Sequence, residues 1–282
     1  MNKYTNNEIE HIILENGIEY LQFKKLKKYN DKLIHATFLR HGGESAGIYN
    51  SLNLRLASKD ENVLKNFKKI AEVLDVDEKN ICKARQTHTA NVLTIDSTNK
   101  EEFSIFSNNS LEADAYLMRD KDIYSIITTA DCIPIIMYDK EQNIAVNIHS
   151  GWKGTIQKIY MKALEKLIIN YNSKPDNIIV CLGPSIGKCC FTSKEDTFKQ
   201  KFIDIWPYEE DYIYYEEDCE TFHIDMKKKI IEDLIIGGIK EENISNAEIC
   251  TKCNNTDFYS YRVTTQNKEE DYATFGTVVG LK

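Results

Sequence analysis

The chain has 282 residues, 42% of them hydrophobic and 28% charged, a balance that excludes disordered, collagenous and membrane-spanning classes and allows one large packed core. Its formal net charge of −8, with no long basic run, excludes nucleic acid and anionic membrane as expected partners, because neutralising phosphates requires clustered Lys and Arg. A small molecule is the expected ligand.

In chain order, residues 18–39 carry the aromatic and β-branched alternation of strands and end at the Gly42-Gly43 turn. Residues 60–74 place Val63, Leu64, Phe67, Ile70, Ala71 and Leu74 at helical spacing, with Asp60 as the expected cap. The middle alternates strand segments (123–128, 133–138, 144–149 and 178–182) with helical ones (154–171 and 223–236), and late strands are expected near 258–263 and 272–280. No repeat, low-complexity tract or linker interrupts the pattern. Residues 1–282 are therefore expected to form a single α/β domain with mixed β-sheets inside and helices on the outer faces. The N-terminal stretch lacks a continuous apolar segment, and no later run approaches the roughly 18 apolar residues of a membrane span, so a cytoplasmic protein is expected. Eight Cys at irregular spacing point to reduced thiols rather than a disulfide scaffold.

The segment 128–154 reads as a hairpin. With Asp139 to Gln142 as a four-residue turn, Tyr138 faces Asn143, Ile135 faces Val146, Ile133 faces Ile148, and Cys132 faces His149 at the open end. Opposed Cα atoms lie roughly 4.5 to 5.5 Å apart, which suits two ligands of one ion. A thiolate with an imidazole favours zinc or copper over magnesium or calcium. His88, at a strand end with Gln86 on its own side, is the expected third ligand; three protein ligands leave a fourth position for water or substrate, as in catalytic zinc sites. A Cys in an apolar strand is more often simply buried, and a lone His more often a satisfied polar residue, so the pairing across the hairpin is what argues for a metal.

Other constellations compete. Cys132 with a nearby His and Asp131 as orienting carboxylate has the composition of a nucleophile, base and orienter, and metal content decides between the two readings. Cys250-x-x-Cys253 lacks a second pair at zinc-knuckle spacing, and Cys189-Cys190 follows a Gly/Pro loop, so ordinary thiols are expected at all four positions. Gly151 and Gly154 precede an apolar-striped helix whose first amides could face an anion, a property of every helix start.

Seven ordered motifs then carry a resemblance: FLRHGGESAGIYNSLNL (38–54), QTH (86–88), EADAYL (112–117), TADCIPIIMYD (129–139), HSGWKG (149–154), LGPSIGKCCF (182–191) and ICTKCNNTDFYSYR (249–262). Together they resemble the laccase-domain family, long called multicopper polyphenol oxidases and later recognised as purine nucleoside phosphorylases with adenosine deaminase activity. The resemblance covers residues 36–280, preceded by N-terminal strands in 1–35. It implies an α/β/β/α layered sandwich and a zinc or copper ion on His88, Cys132 and His149, the same trio the hairpin pairing reaches. It further implies that Arg40, His41, Asn53, Arg262 and Lys153 line the substrate pocket, and that Asp131 sits beside the metal ligand as the candidate for proton transfer. Departures from the usual pattern stand at Thr89, Ser150, Lys153 and Val263; Lys153 keeps a charge where the family more often has an Arg fork.

The implied reaction is phosphorolysis of adenosine, inosine or methylthioadenosine to free base and a ribose 1-phosphate, accompanied by adenosine deamination, in a monomer or small homo-oligomer. A hydrolase or amidase editing cell-wall precursors through the same pocket is the alternative. A copper oxidase ranks lower, because six His, at positions 11, 35, 41, 88, 149 and 223, are too few for a multicopper assembly.

Overall fold

A computed structural model describes residues 2–107 and 110–282. In chain order its strands are β1 (Ile9–Ile13), β2 (Glu19–Phe23), β3 (Leu33–Phe38), β4 (Ile81–Cys82), β5 (Val92–Ile95), β6 (Ala115–Met118), β7 (Ile123–Thr129), β8 (Ile133–Asp139), β9 (Ile144–Ser150), β10 (Ile178–Leu182), β11 (Thr192–Ser193), β12 (Ile213–Glu216), β13 (Thr221–Ile224), β14 (Ile244–Asn246) and β15 (Phe275–Leu281). They form two six-stranded mixed sheets, ordered β1-β2-β3-β15-β7-β4 and β14-β10-β8-β9-β6-β5, and a small antiparallel sheet β11-β13-β12.

Period-two alternation puts opposite sets of side chains on the two faces of each sheet, and here both faces are apolar. Ile136, Tyr138, Ala145 and Cys181 of the second sheet meet Leu21, Ile127, Phe275 and Val279 of the first, forming the central core. Ile135, Met137, Val146, Ile148 and Val180 point the other way, onto Tyr160, Ala163, Leu164 and Leu167 of the helix Ile159–Tyr171 and Ile230 and Leu234 of the helix Met226–Ile236. The far face of the first sheet is covered by Phe67, Ile70 and Ala71 of the helix Val63–Leu74. The order of layers is thus helix, sheet, sheet, helix, as expected.

Several local expectations are corrected. Asn62, not Asp60, occupies the cap position of the helix Val63–Leu74; the Asp60 carboxylate instead accepts from the Asn62 amide at 3.0 Å and from Asn53 Nδ2 at 3.0 Å. The expected helix 154–171 is two helices, Trp152–Ile156 and Ile159–Tyr171, separated by Lys158 in a left-handed conformation. The helix expected from 223 begins at Met226, because His223 and Ile224 belong to β13 and Asp225 caps the helix through the Lys228 amide. Residues 258–263, aromatic enough to resemble a strand, form no strand: the Ser260 hydroxyl accepts from the Val263 amide and starts the helix Tyr261–Gln266.

The hairpin β8–β9 forms, with its register displaced by two. Asp139 pairs with Ile144, Met137 with Val146, Ile135 with Ile148 and Pro134 with His149. The turn is residues 140–143, not 139–142. Its geometry is set by the Asp139 carboxylate, which accepts the amides of Glu141 (2.9 Å) and Gln142 (3.0 Å), and by Asn143, which takes the left-handed conformation. A displacement of one would have exchanged the faces; a displacement of two keeps His149 on the side of Cys132, now diagonal to it beyond the end of β8.

Candidate metal centre and pocket

Three residues, Ala130, Asp131 and Cys132, carry the chain from β7 in the first sheet to β8 in the second, so Cys132 sits at the joint of the two sheets. Asp131 makes this sharp crossover with a φ of 86°. The strained backbone is held by its own buried carboxylate, which accepts from Thr251 Oγ1 (2.6 Å), Ser260 Oγ (3.0 Å) and the Arg262 amide (2.7 Å). These donors engage both oxygens, so the carboxylate fastens the turn that presents Cys132, and Asp131 itself lines the cavity beside it.

His149, near the end of β9, is buried, and its Nδ1 lies 2.7 Å from Asp114 Oδ1. Bonding at Nδ1 leaves Nε2 for a metal or another partner. The same fully buried Asp114 organises the QTH segment, accepting from the amides of His88 (3.2 Å) and Thr89 (2.6 Å) and from Thr89 Oγ1 (2.8 Å). His88 is thereby held in a left-handed conformation, within a loop rather than at a strand end, with its Nε2 3.7 Å from Cys132 Sγ and its ring edge-on to His149. The ligand atoms of His88, Cys132 and His149 all lie within 4.8 Å of one another. Gly151 makes room for this, since a Cβ there would fall 2.4 Å from His88 Cδ2 and 3.0 Å from Cys132 Sγ.

Electrostatics couples the three. Burial pushes the Cys132 thiol up, but the His149 and His88 imidazoles outweigh it and bring it to about 7. Burial pushes His149 down, but the Cys132 thiolate and the Asp114 carboxylate raise it to about 9. One soft sulfur and two imidazoles, one of them backed by a buried carboxylate, fit an ion of the zinc or copper class, and three protein donors leave one tetrahedral position to be filled from the cavity.

That cavity, about 1040 Å³, is lined by the trio, by Trp152, Phe191, Phe198, Tyr261 and Tyr272, and by the cationic side chains of Arg55, Lys83, Arg85, Lys153 and Arg262. Lys153 has its ammonium 5.6 Å from the Trp152 ring centroid. Arg262 Nη1 donates weakly to the carbonyls of Cys190 (3.3 Å) and Thr192 (3.4 Å). Lys83 donates to Thr128 Oγ1 (3.0 Å), and burial pulls its ammonium down to about 7 against the opposing pull of Asp114.

Arg40, His41 and Asn53 do not line this cavity, contrary to expectation. The guanidinium of Arg40 stacks on Tyr259 and donates to the carbonyls of Asn50 and Asn255, so its planar fork grips backbone instead of a phosphate. His41 Nε2 lies 3.1 Å from Asp257 Oδ1. Buried Asn53 accepts the amides of Arg55 (3.0 Å) and Thr274 (3.2 Å), bracing a wall whose outward face presents Arg55. Asp114 and Lys83 were not singled out by the sequence. The one available signal for Asp114 was a carboxylate flanked by two Ala in EADAYL, a place where burial leaves a charge needing partners.

Residues 34–281 match the family model described as multi-copper polyphenol oxidoreductase laccase. A purine nucleoside phosphorylase of Clostridium acetobutylicum is 30% identical over 252 residues, covering 86% of this chain and 93% of that protein. The adenosine deaminase RL5, from an unknown prokaryotic organism, is 29% identical over 201 residues, covering 68% and 73% respectively. The crystal structure of the Bacillus licheniformis hypothetical protein YfiH aligns with a TM-score of 0.86 at 24% identity, over 98% of this chain and 100% of that one, and shares the fold. No helix among the described residues is long and apolar enough to cross a membrane.

Proposed function

The chain belongs to the multi-copper polyphenol oxidoreductase laccase family, and from that premise we propose that it is a metal-dependent purine nucleoside enzyme that phosphorolyses adenosine or inosine and deaminates adenosine. The observation that carries this reading is the convergence of His88, Cys132 and His149 on one wall of a cavity that also holds aromatic faces and cationic side chains. His88, Cys132 and His149 would hold a zinc or copper ion, which would supply Lewis-acid polarisation of a substrate group.

The chain's own residues do the rest. Asp114 keeps His149 in the tautomer that directs Nε2 inward. Trp152, Phe191, Phe198 and Tyr261 offer apolar faces to a purine, and Arg262 and Lys153 offer charge to phosphate. In phosphorolysis a phosphate oxygen bonds to the anomeric carbon as the glycosidic C–N bond breaks, and the proton lost by phosphate ends on the departing base nitrogen. Holding phosphate and nucleoside together in one cavity supplies orientation and charge stabilisation, which are the large terms for such a displacement.

A second reading draws on the same geometry: Cys132, His149 and Asp114 have the order of nucleophile, base and orienting carboxylate, with Asp114 in the place the sequence assigned to Asp131. That enzyme would be an amide hydrolase needing no ion. Incubating the purified chain, of measured metal content, with adenosine, with and without phosphate, distinguishes the two. Ribose 1-phosphate formed only with phosphate, together with inosine, is expected. Metal-free protein that leaves nucleosides intact while cleaving a cell-wall amide would overturn the nucleoside reading.

A further inference from the structure

Outside the cavity wall just described, the two cysteine pairs that the sequence leaves as ordinary thiols meet. Cys189 and Cys190 lie in the loop after β10, and Cys250 and Cys253 in the loop after β14, about sixty residues later. Cys253 Sγ is 3.7 Å from Cys189 Sγ and 3.5 Å from Cys190 Sγ, and all four sulfurs lie within 4.8 Å of one another. All are free cysteines, and Cys189 and Cys253 are exposed, so burial does not explain why they gather.

The spacing does. Four thiolates on a zinc ion at about 2.3 Å stand at the corners of a tetrahedron with edges of about 3.8 Å. The observed separations match that edge and are far longer than a disulfide of about 2.05 Å. With all four sulfurs within 4.8 Å of one another, the group is too compact for a cluster that spreads its four thiolates over two or four iron atoms. The backbone is shaped for thiolate: the Gly187 amide donates to Cys250 Sγ at 3.3 Å, and a Cβ on Gly187 would press on Cys250 Cβ at 3.3 Å and Cys189 Sγ at 3.4 Å. Reciprocal hydrogen bonds between Ser185 and the backbone of 249–251 dock the loops side by side. Lys188 and Lys252 stand next to Cys189 and Cys253 in the sequence.

We propose that Cys189, Cys190, Cys250 and Cys253 bind a second ion, a zinc in a closed four-sulfur site with no position for substrate. Its role is structural. One clamped loop carries the Cys190 and Thr192 carbonyls that receive Arg262, and the other carries Thr251, which holds the Asp131 carboxylate beside Cys132. The ion therefore fixes the wall of the cavity without taking part in its chemistry.

Metal analysis of the full chain, purified under reducing conditions from zinc-supplemented cells, tests this. About two zinc per chain are expected, falling to about one in Cys253→Ser and to about one in His149→Ala, each variant losing a different ion. Cobalt(II) loaded into His149→Ala should show the intense sulfur-to-metal charge-transfer absorption of a tetrathiolate, a readout that stands even where Cys253→Ser fails to fold. Wild-type zinc content retained in Cys253→Ser, a cobalt spectrum without that absorption, or four thiols equally reactive before and after chelation would each overturn the proposal.

Discussion

Of the three groups of possible ligand atoms among the described residues, the His–Cys–His trio and the four-cysteine group differ in their surroundings in a way that suits them to different work. The trio His88, Cys132 and His149 is mounted on a sheet crossover, a strand end and a loop fixed by one buried carboxylate, and it opens on a large cavity. The four-cysteine group is mounted on two loops outside the lining of that cavity and offers four sulfurs within 4.8 Å of one another, enough to fill every corner of a tetrahedron. Donor count and mounting together separate a site that must accept a substrate from one that must only hold two loops together.

The contrast breaks most visibly at His149. His149→Ala is expected to lower nucleoside turnover by about a thousandfold and to release the ion of the trio, while the four-cysteine ion stays; zinc content and product formation measured on the same sample check both halves. Gly151→Ala comes next. Its Cβ would press on His88 and Cys132, and a misplacement of that kind costs about a hundredfold in kcat, with the cobalt spectrum of the four-cysteine group unchanged. Asp114→Asn, which cannot fix the His149 tautomer in the same way, should weaken metal binding at the trio by about ten- to a hundredfold, as read by competition with a chelator. Arg262→Ala should raise the KM for phosphate by about tenfold and leave deamination of adenosine nearly as fast, which sharpens the division of labour inside the open site.

The smallest effect on catalysis is expected far from both groups. His35 is buried in β3, where its Nε2 accepts the Phe23 amide, and burial lowers it to about 3. The unfolded chain, with a His near about 6.5, then binds a proton that the folded chain does not, so stability present above that pH is lost as pH falls through the window from 6.5 toward 3. At pH 5 the loss from this residue is about 2 kcal/mol. Urea unfolding of His35→Gln at pH 7 and pH 5 should show a flatter dependence, with turnover at pH 7 unaffected.

What the sequence makes legible follows from what a local pattern can encode. β7, β8, β9 and β10 are readable because two buried faces make continuous apolar runs, and the trio survives a misplaced turn because the side-chain period of a strand is two. Asp114 and the meeting of Cys189-Cys190 with Cys250-x-x-Cys253 are not readable, because each depends on segments brought together only by the fold. Arg40, His41 and Asn53 show the complementary limit. A motif tells which residues travel together, but not whether each faces a cavity or braces the wall behind it; here all three brace.

The three-residue crossover between β7 and β8 has one more consequence. Cys132 directly precedes β8, in the sheet that bears His149, but only Ala130 and Asp131 separate it from β7 of the other sheet, so the first sheet holds the sulfur on a short leash. Sliding at that apolar interface, even one that leaves every strand intact, would strain this tether and tug the sulfur away from its place beside His149. The geometry of the trio is therefore hostage to the packing of the innermost layer, and the mating of the sheets is itself part of the site.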